Sequence, residues 1–219
     1  EMKPTSLNQT TRQMLSGSLF ISGWAGYQTL FPAFSKQARF VLPFIDCSDE
    51  NLEPVLSSHW KTVFAWSLGA HLCLKNLNRI RADRLVLIAP FLDFCQGTSR
   101  ERIKDMLRGL DKNPRTTVRW FWKACSVRQL PGEAVTDVQN LKKGLEFLIH
   151  SRISPESLNR EMPVTLIHGR TDRIVPARLS QRIKKCLPQA CYHLLPYGHF
   201  IPETEIIKIA YEKTDPETF

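Results

Sequence analysis

The stretch that decides the fold is FAWSLGA, Phe64 to Ala70. It ends the apolar run KTVFAW and opens LGAHLCLKNL, which has a helical pattern. A serine between a buried strand and a helix stands on a sharp turn. Its hydroxyl is lifted clear of the sheet, with the helix N-terminus behind it. The turn needs small residues two before and two after the serine, because the neighbouring backbone otherwise meets their side chains. Gly69 meets this need fully. Ala65 carries one methyl group that the turn is expected to absorb. In the competing reading, Ser67 merely caps an ordinary helix.

Working outward, short apolar runs alternate with helical patterns. SLFIS (Ser18–Ser22), FVLPFI (Phe40–Ile45), TVFAW (Thr62–Trp66), LVLIA (Leu85–Ala89), VTLIH (Val164–His168) and YHLL (Tyr192–Leu195) read as buried strands. Pro43 weakens the second of these. Helices are expected over Leu68–Leu77, Pro176–Leu187 and Pro202–Lys213. This alternation predicts an α/β fold with a mostly parallel central sheet flanked by helices.

The alternation stops between residues 93 and 161. There Ile103, Met106, Leu107 and Leu110 recur at helical spacing, and Asn113-Pro114 reads as a helix start. Val118, Phe121, Trp122 and Cys125 follow on one face, and Val135, Val138, Leu141, Leu145, Leu148 and Ile149 make a third stripe. Residues 1–92 and 162–219 are therefore expected to form the core, and 93–161 an inserted helical cap (lid). A cap placed there would cover the carboxyl ends of the strands, where α/β proteins bind ligands. The alternative is that these helices only add stability elsewhere.

Three further signals bear on Ser67. Gly23-Trp24 follows the first strand, so the backbone N–H groups of Trp24 and Leu68 are candidates for an oxyanion hole. Asp172 lies on the loop after VTLIH, and His199 in the loop after the last strand. Alone, Asp172 reads as a turn residue and His199 as a surface histidine. Together, Ser67, Asp172 and His199 follow three separate strands in the chain order of a nucleophile, an orienting carboxylate and a base. His71 is expected to point away from the attack site, and His168 reads as structural.

The chain has 219 residues and a net charge of +9. That length suits one domain with an insertion. The charge favours an acidic partner, or belongs to an enzyme that happens to be basic. No stretch approaches a membrane span, and EMKPTSLNQTTRQML lacks the apolar stretch of a secretory signal, so a cytoplasmic protein without membrane insertion is expected. The six cysteines form no C-x-x-C pair and read as reduced thiols. The histidines show no metal-ligand spacing, so no metal and no cofactor is expected. The basic residues form no recognisable nucleic-acid module.

With these residues in place, the chain resembles the α/β-hydrolases. More narrowly, it resembles the pimeloyl-acyl-carrier-protein methyl ester esterases of biotin synthesis. The resemblance rests on SGWAGYQTLF, AWSLGA, LVLIAP, the cap segment NLKKGLEFLIHSRI, MPVTLIHGRTDRIVP and YGHFIP, and covers most of the chain. It departs from that group at Ser22, where many members have histidine, and at Ala65. The leading antiparallel strands of the fold are expected to be reduced. The resemblance implies a substrate that is a pimeloyl methyl ester carried on acyl carrier protein, cleaved by a monomer. Trp24, Trp120, Phe121 and Trp122 are candidates to line an acyl slot. Arg108, Arg115, Arg119 and Lys123 are candidates to dock the acidic carrier, a solvated helix face being the alternative. A general short-chain carboxylesterase or thioesterase, or an inactive binding module on the same fold, are the rival readings.

Overall fold

Six strands pair side by side, every pairing parallel, in the order β2-β1-β3-β4-β5-β6. They are β1 (Ser18–Ile21), β2 (Arg39–Val41), β3 (His59–Trp66), β4 (Arg81–Ile88), β5 (Val164–Gly169) and β6 (Cys191–Leu195). The computed structural model describes residues 6–48, 51–132, 135, 137–158 and 161–212. Nine α-helices lie among the described residues: α1 (Ser6–Leu15), α2 (Pro32–Gln37), α3 (Glu53–Ser57), α4 (Leu68–Lys75), α5 (Arg100–Lys112), α6 (Pro114–Ala124), α7 (Val138–His150), α8 (Arg178–Cys186) and α9 (Glu203–Tyr211). None of them is long and apolar enough to cross a membrane.

All six expected strands are present, with altered ends, but β2 and β6, expected to be buried, are partly exposed because they form the two edges of the sheet. β3 and β4 begin several residues early because their first halves are polar and partly exposed, while only their second halves are buried. β2 stops at Val41. Pro43 has no N–H to donate to a ladder, and Phe44 takes a positive φ of 65°, so the apolar run turns instead of pairing on. The helices α1, α2 and α3 carry no clear apolar stripe and are not expected from the sequence. In α2, Phe34 alone is buried, and in α3, Leu56 alone.

The helices α5, α6 and α7 all lie between β4 and β5. Each starts on a side-chain cap: Ser99 Oγ accepts from Arg102 N at 3.3 Å, Asn113 Oδ1 from Thr116 N at 3.0 Å, and Asp137 Oδ1 from Asn140 N at 3.1 Å. Their buried stripes are Ile103 and Leu110, then Val118, Phe121 and Trp122, then Leu141, Leu145 and Leu148. Three buried bonds tie them to the core. Trp122 Nε1 donates to Ala25 O at 2.8 Å, Trp24 Nε1 to Leu141 O at 2.8 Å, and Phe200 N to Cys125 O at 2.9 Å.

The chain order reverses between β1 and β3, since β1 connects outward to β2 while β3 leads the other way to β4. Loops diverge at such a point and leave a crevice at the strand ends. Here the crevice is bordered by residues 22–26 after β1 and by Ser67 after β3.

Candidate active site

Ser67 has φ 54° and ψ −112°, a conformation that a residue with a Cβ rarely adopts. It persists because its surroundings over-determine it. Ser67 N donates to Ile88 O at 2.8 Å and Ser67 O accepts from His71 N at 2.9 Å, so the residue is pinned to β4 on one side and to α4 on the other. A Cβ on Gly69 would lie 2.2 Å from Ile21 O, so α4 can approach the end of β1 only with glycine there. Ala65 is fully buried within β3, with its methyl group accommodated.

His199 Nε2 is 2.8 Å from Ser67 Oγ, and His199 Nδ1 is 2.7 Å from Asp172 Oδ2. The other carboxylate oxygen, Oδ1, accepts from Ile174 N at 2.8 Å and Val175 N at 2.9 Å. The side chains of Asp172 and His199 are wholly buried. Burial pushes the Asp172 carboxyl up. The charge of His199 and hydrogen bonds from His168 and His199 outweigh that, so it is held well below the usual carboxylate range. Asp172 is therefore a permanent anion behind the imidazole. A Cβ on Gly169 would lie 2.0 Å from Gly198 O, and this close approach brings the Asp172 and His199 loops together. The sequence assignment of Ser67, Asp172 and His199 to one constellation corresponds to this geometry.

Among the described residues, neither Trp24 N–H nor Leu68 N–H donates to a protein acceptor. Ser22 Oγ donates to Gly26 O at 2.5 Å and closes the turn that carries Trp24. A hydroxyl thus shapes this loop.

Above Ser67 is an apolar slot lined by Trp24, Phe94, Met106, Trp120, Phe121 and Leu145, among others. Its free volume is only about 20 Å³, enough for roughly one water. An acyl group can enter only if lining side chains shift. Arg102, at this slot and at the outer groove between α5 and α6, lies over the Trp120 ring at 5.8 Å. Of the four aromatic residues singled out in the sequence, Trp24, Trp120 and Phe121 line the slot. Trp122 does not. It is buried in the core, where its N–H is taken by Ala25 O and its ring meets Tyr27 edge-on. Its helical position places it on the core side of α6, opposite Trp120, which is 45% exposed.

Arg115, Arg119 and Lys123 recur every four residues along α6 and share a face, with Arg119 half-buried. Arg108 is on α5, where its guanidinium pairs with Asp105. His71 points away from Ser67, to Phe91 O at 3.1 Å and Ser151 Oγ at 2.8 Å. His168, read as structural from the sequence, is wholly buried, and its Nε2 lies 2.8 Å from Val175 O and 3.3 Å from Asp172 Oδ2. Its position four residues before Asp172 was the only available signal, and a strand-to-loop segment gives that spacing no fixed geometry. The six cysteines are thiols and form no disulfide with one another. Burial, followed by the negative charge of Asp172, pushes the Cys125 thiol well above its usual value, so it stays protonated.

No family model matches the chain, and no curated protein matches it in sequence. Solved structures do match its fold. An esterase from Exiguobacterium antarcticum superposes with a TM-score of 0.69 at 13% identity, over 89% of this chain and 90% of that one. An α/β-hydrolase enzyme from a Medee basin deep-sea metagenome library gives 0.62 at 15%, over 93% and 92%. The esterase RhEst1 from Rhodococcus sp. gives 0.57 at 14%, over 90% of each chain. The fold is the α/β-hydrolase fold.

Proposed function

We propose that the chain is a serine carboxylesterase that works through an acyl-enzyme. The observation that carries this reading is the unbroken run of short contacts from Ser67 Oγ through His199 to Asp172. His199 Nε2 takes the hydroxyl proton as Ser67 Oγ attacks the ester carbonyl. Charge on the carbonyl oxygen is met by the N–H groups of Trp24 and Leu68, and the imidazolium is stabilised by Asp172. The ester C–O bond then breaks, and the departing alkoxide takes the proton from His199 and leaves as the alcohol. Water enters, gives a proton to His199 and attacks the acyl carbon. Ser67 Oγ leaves with that proton, and the carboxylic acid is released.

The substrate we propose is the methyl ester of pimeloyl-acyl-carrier protein. The reaction frees the distal carboxylate and releases methanol. With its lining side chains shifted, the apolar slot would take an unbranched methylene chain, and the basic face of α6, beside the exposed Trp120, suits an acidic carrier. Arg108, already paired with Asp105, contributes less to that face. The test is growth of a biotin auxotroph that lacks its own esterase. The wild-type chain restores growth and Ser67→Ala does not. The small free volume of the slot favours a second reading, a short-chain carboxylesterase or thioesterase. Failure of the wild type to restore growth, together with rapid hydrolysis of a free acetate ester, selects that reading.

A further inference from the structure

We propose that His168 is a positioning residue for the esterase reaction, its Nε2–H held between Val175 O and Asp172 Oδ2 so that it sets the orientation and basicity of the carboxylate facing His199. The proposal rests on Ser67, His199 and Asp172 acting as described above.

His168 is the penultimate residue of β5 and is wholly buried. Its Nε2 lies 2.8 Å from Val175 O and 3.3 Å from Asp172 Oδ2. Both of these atoms are acceptors, so Nε2 carries the hydrogen. The other nitrogen, Nδ1, is buried and has no hydrogen-bond partner among the described residues. A proton placed there would be a buried donor with nothing to donate to. The tautomer is therefore fixed by the surroundings, and the ring can serve the carboxylate only as a donor.

The arrangement closes a small ring of bonds. Val175 N–H holds Asp172 Oδ1, and Val175 O accepts from His168. The same nitrogen lies 3.3 Å from Oδ2, the oxygen that also receives the Nδ1–H of His199. Oδ2 thus divides its negative charge between two imidazoles. Take away His168, and Oδ2 becomes a stronger base toward His199, while the plane of the carboxylate loses one of its fixed points. A more basic Oδ2 stabilises imidazolium at His199, so the base stays protonated up to higher pH.

The other titratable groups around the carboxylate do not offer this effect. Cys125, at the end of α6, stays a thiol for the reasons given above. Ser67 faces His199 and not Asp172. Arg170 and Arg173, on the same loop as Asp172, are exposed.

The test uses the full chain and p-nitrophenyl acetate, with kcat and kcat/KM measured against pH for wild type, His168→Gln and His168→Leu. Leucine removes the donor, whereas the glutamine amide can reach the Nε2 position. For His168→Leu, kcat is expected to fall about ten- to a hundredfold, and the acid limb of kcat/KM to move to higher pH. His168→Gln is expected to return the limb toward the wild-type position. The low-field proton resonance of the His199–Asp172 bond is expected to move downfield in His168→Leu. If the leucine variant does not fold, His168→Asn stands in, because its shorter amide falls near Nδ1 and misses Oδ2. Superimposable acid limbs, or a glutamine variant no nearer wild type than the leucine or asparagine variant, overturn the proposal. Labelling of wild-type Ser67 by a fluorophosphonate separates the two levels. Labelling with unmoved pH profiles defeats the role of His168 alone, and absence of labelling defeats the esterase reading beneath it.

Discussion

The indole Nε1 of Trp66 donates to the backbone carbonyl of His199 at 2.9 Å, and its ring lies 5.2 Å from the imidazole. The residue that precedes the nucleophile therefore holds the base. Trp66→Phe keeps most of the ring and leaves the His199 carbonyl buried without this donor. It is expected to cost about 1–3 kcal/mol of stability and to lower kcat while KM for a small ester stays near wild type. Chemical denaturation and steady-state kinetics check the two effects. A variant with unchanged kcat would show that the bond serves the fold only.

Ser67 stores backbone strain at φ 54°. Ser67→Ala keeps the Cβ and hence the strain, so it is expected to melt near the wild-type temperature. Ser67→Gly relieves the strain and is expected to be more stable, by about 1 kcal/mol after the entropy cost of glycine. Both variants are expected to be devoid of esterase activity. Equal melting temperatures for the two would count against a strained nucleophile turn.

Ala65 occupies the place where the motif usually has glycine, and its methyl group is enclosed. Ala65→Gly is expected to remain active and lose roughly 0.5–1 kcal/mol. Ala65→Val adds volume against a packed turn and is expected to lose about 1–3 kcal/mol along with most of its activity. Thermal melts and ester hydrolysis decide, and full activity in the valine variant would mean that the turn has room the structure does not indicate.

The depressed carboxyl of Asp172 links stability to pH. Its folded-state affinity for a proton is below that of the unfolded chain, so the unfolded state binds more protons as pH falls. The stabilisation is complete above the ordinary aspartate value, about 4, and is lost progressively below it. Asp172→Asn is expected to flatten the dependence of stability on pH below that value and to lower kcat sharply. Urea melts between acid and neutral pH test this, and parallel curves for the two proteins would remove Asp172 as a source.

Charge on α6 is expected to matter for a carrier-bound ester alone. Reversing Arg115, Arg119 and Lys123 to glutamate should lower kcat/KM for pimeloyl-carrier methyl ester about tenfold or more at low salt. The loss should shrink as salt is raised, and p-nitrophenyl acetate should be unaffected. Equal rates on the carrier-bound ester would make the stripe a solvated face.

The sequence by itself determined the layout. Each strand is built on a short apolar run whose alternation with helical patterns marks it as a strand, although the edge strands β2 and β6 are only partly buried. Three of the turns after these strands hold Ser67, Asp172 and His199 in a telling order, and the structure brings their side chains together. The helical stripes between residues 93 and 161 were legible too, with Asn113-Pro114 marking one helix start. The stripe of Val118, Phe121 and Trp122 already set Trp122 on the inward face of its helix, and tertiary structure decided that its indole docks on Ala25 O while Trp120 lines the slot. Tertiary structure also decided the place of His168. A histidine ending a strand has no preferred partner within its own segment. The turn that folds Asp172 and Val175 back over β5 brings both acceptors to its Nε2, and neither periodicity nor spacing encodes that closure.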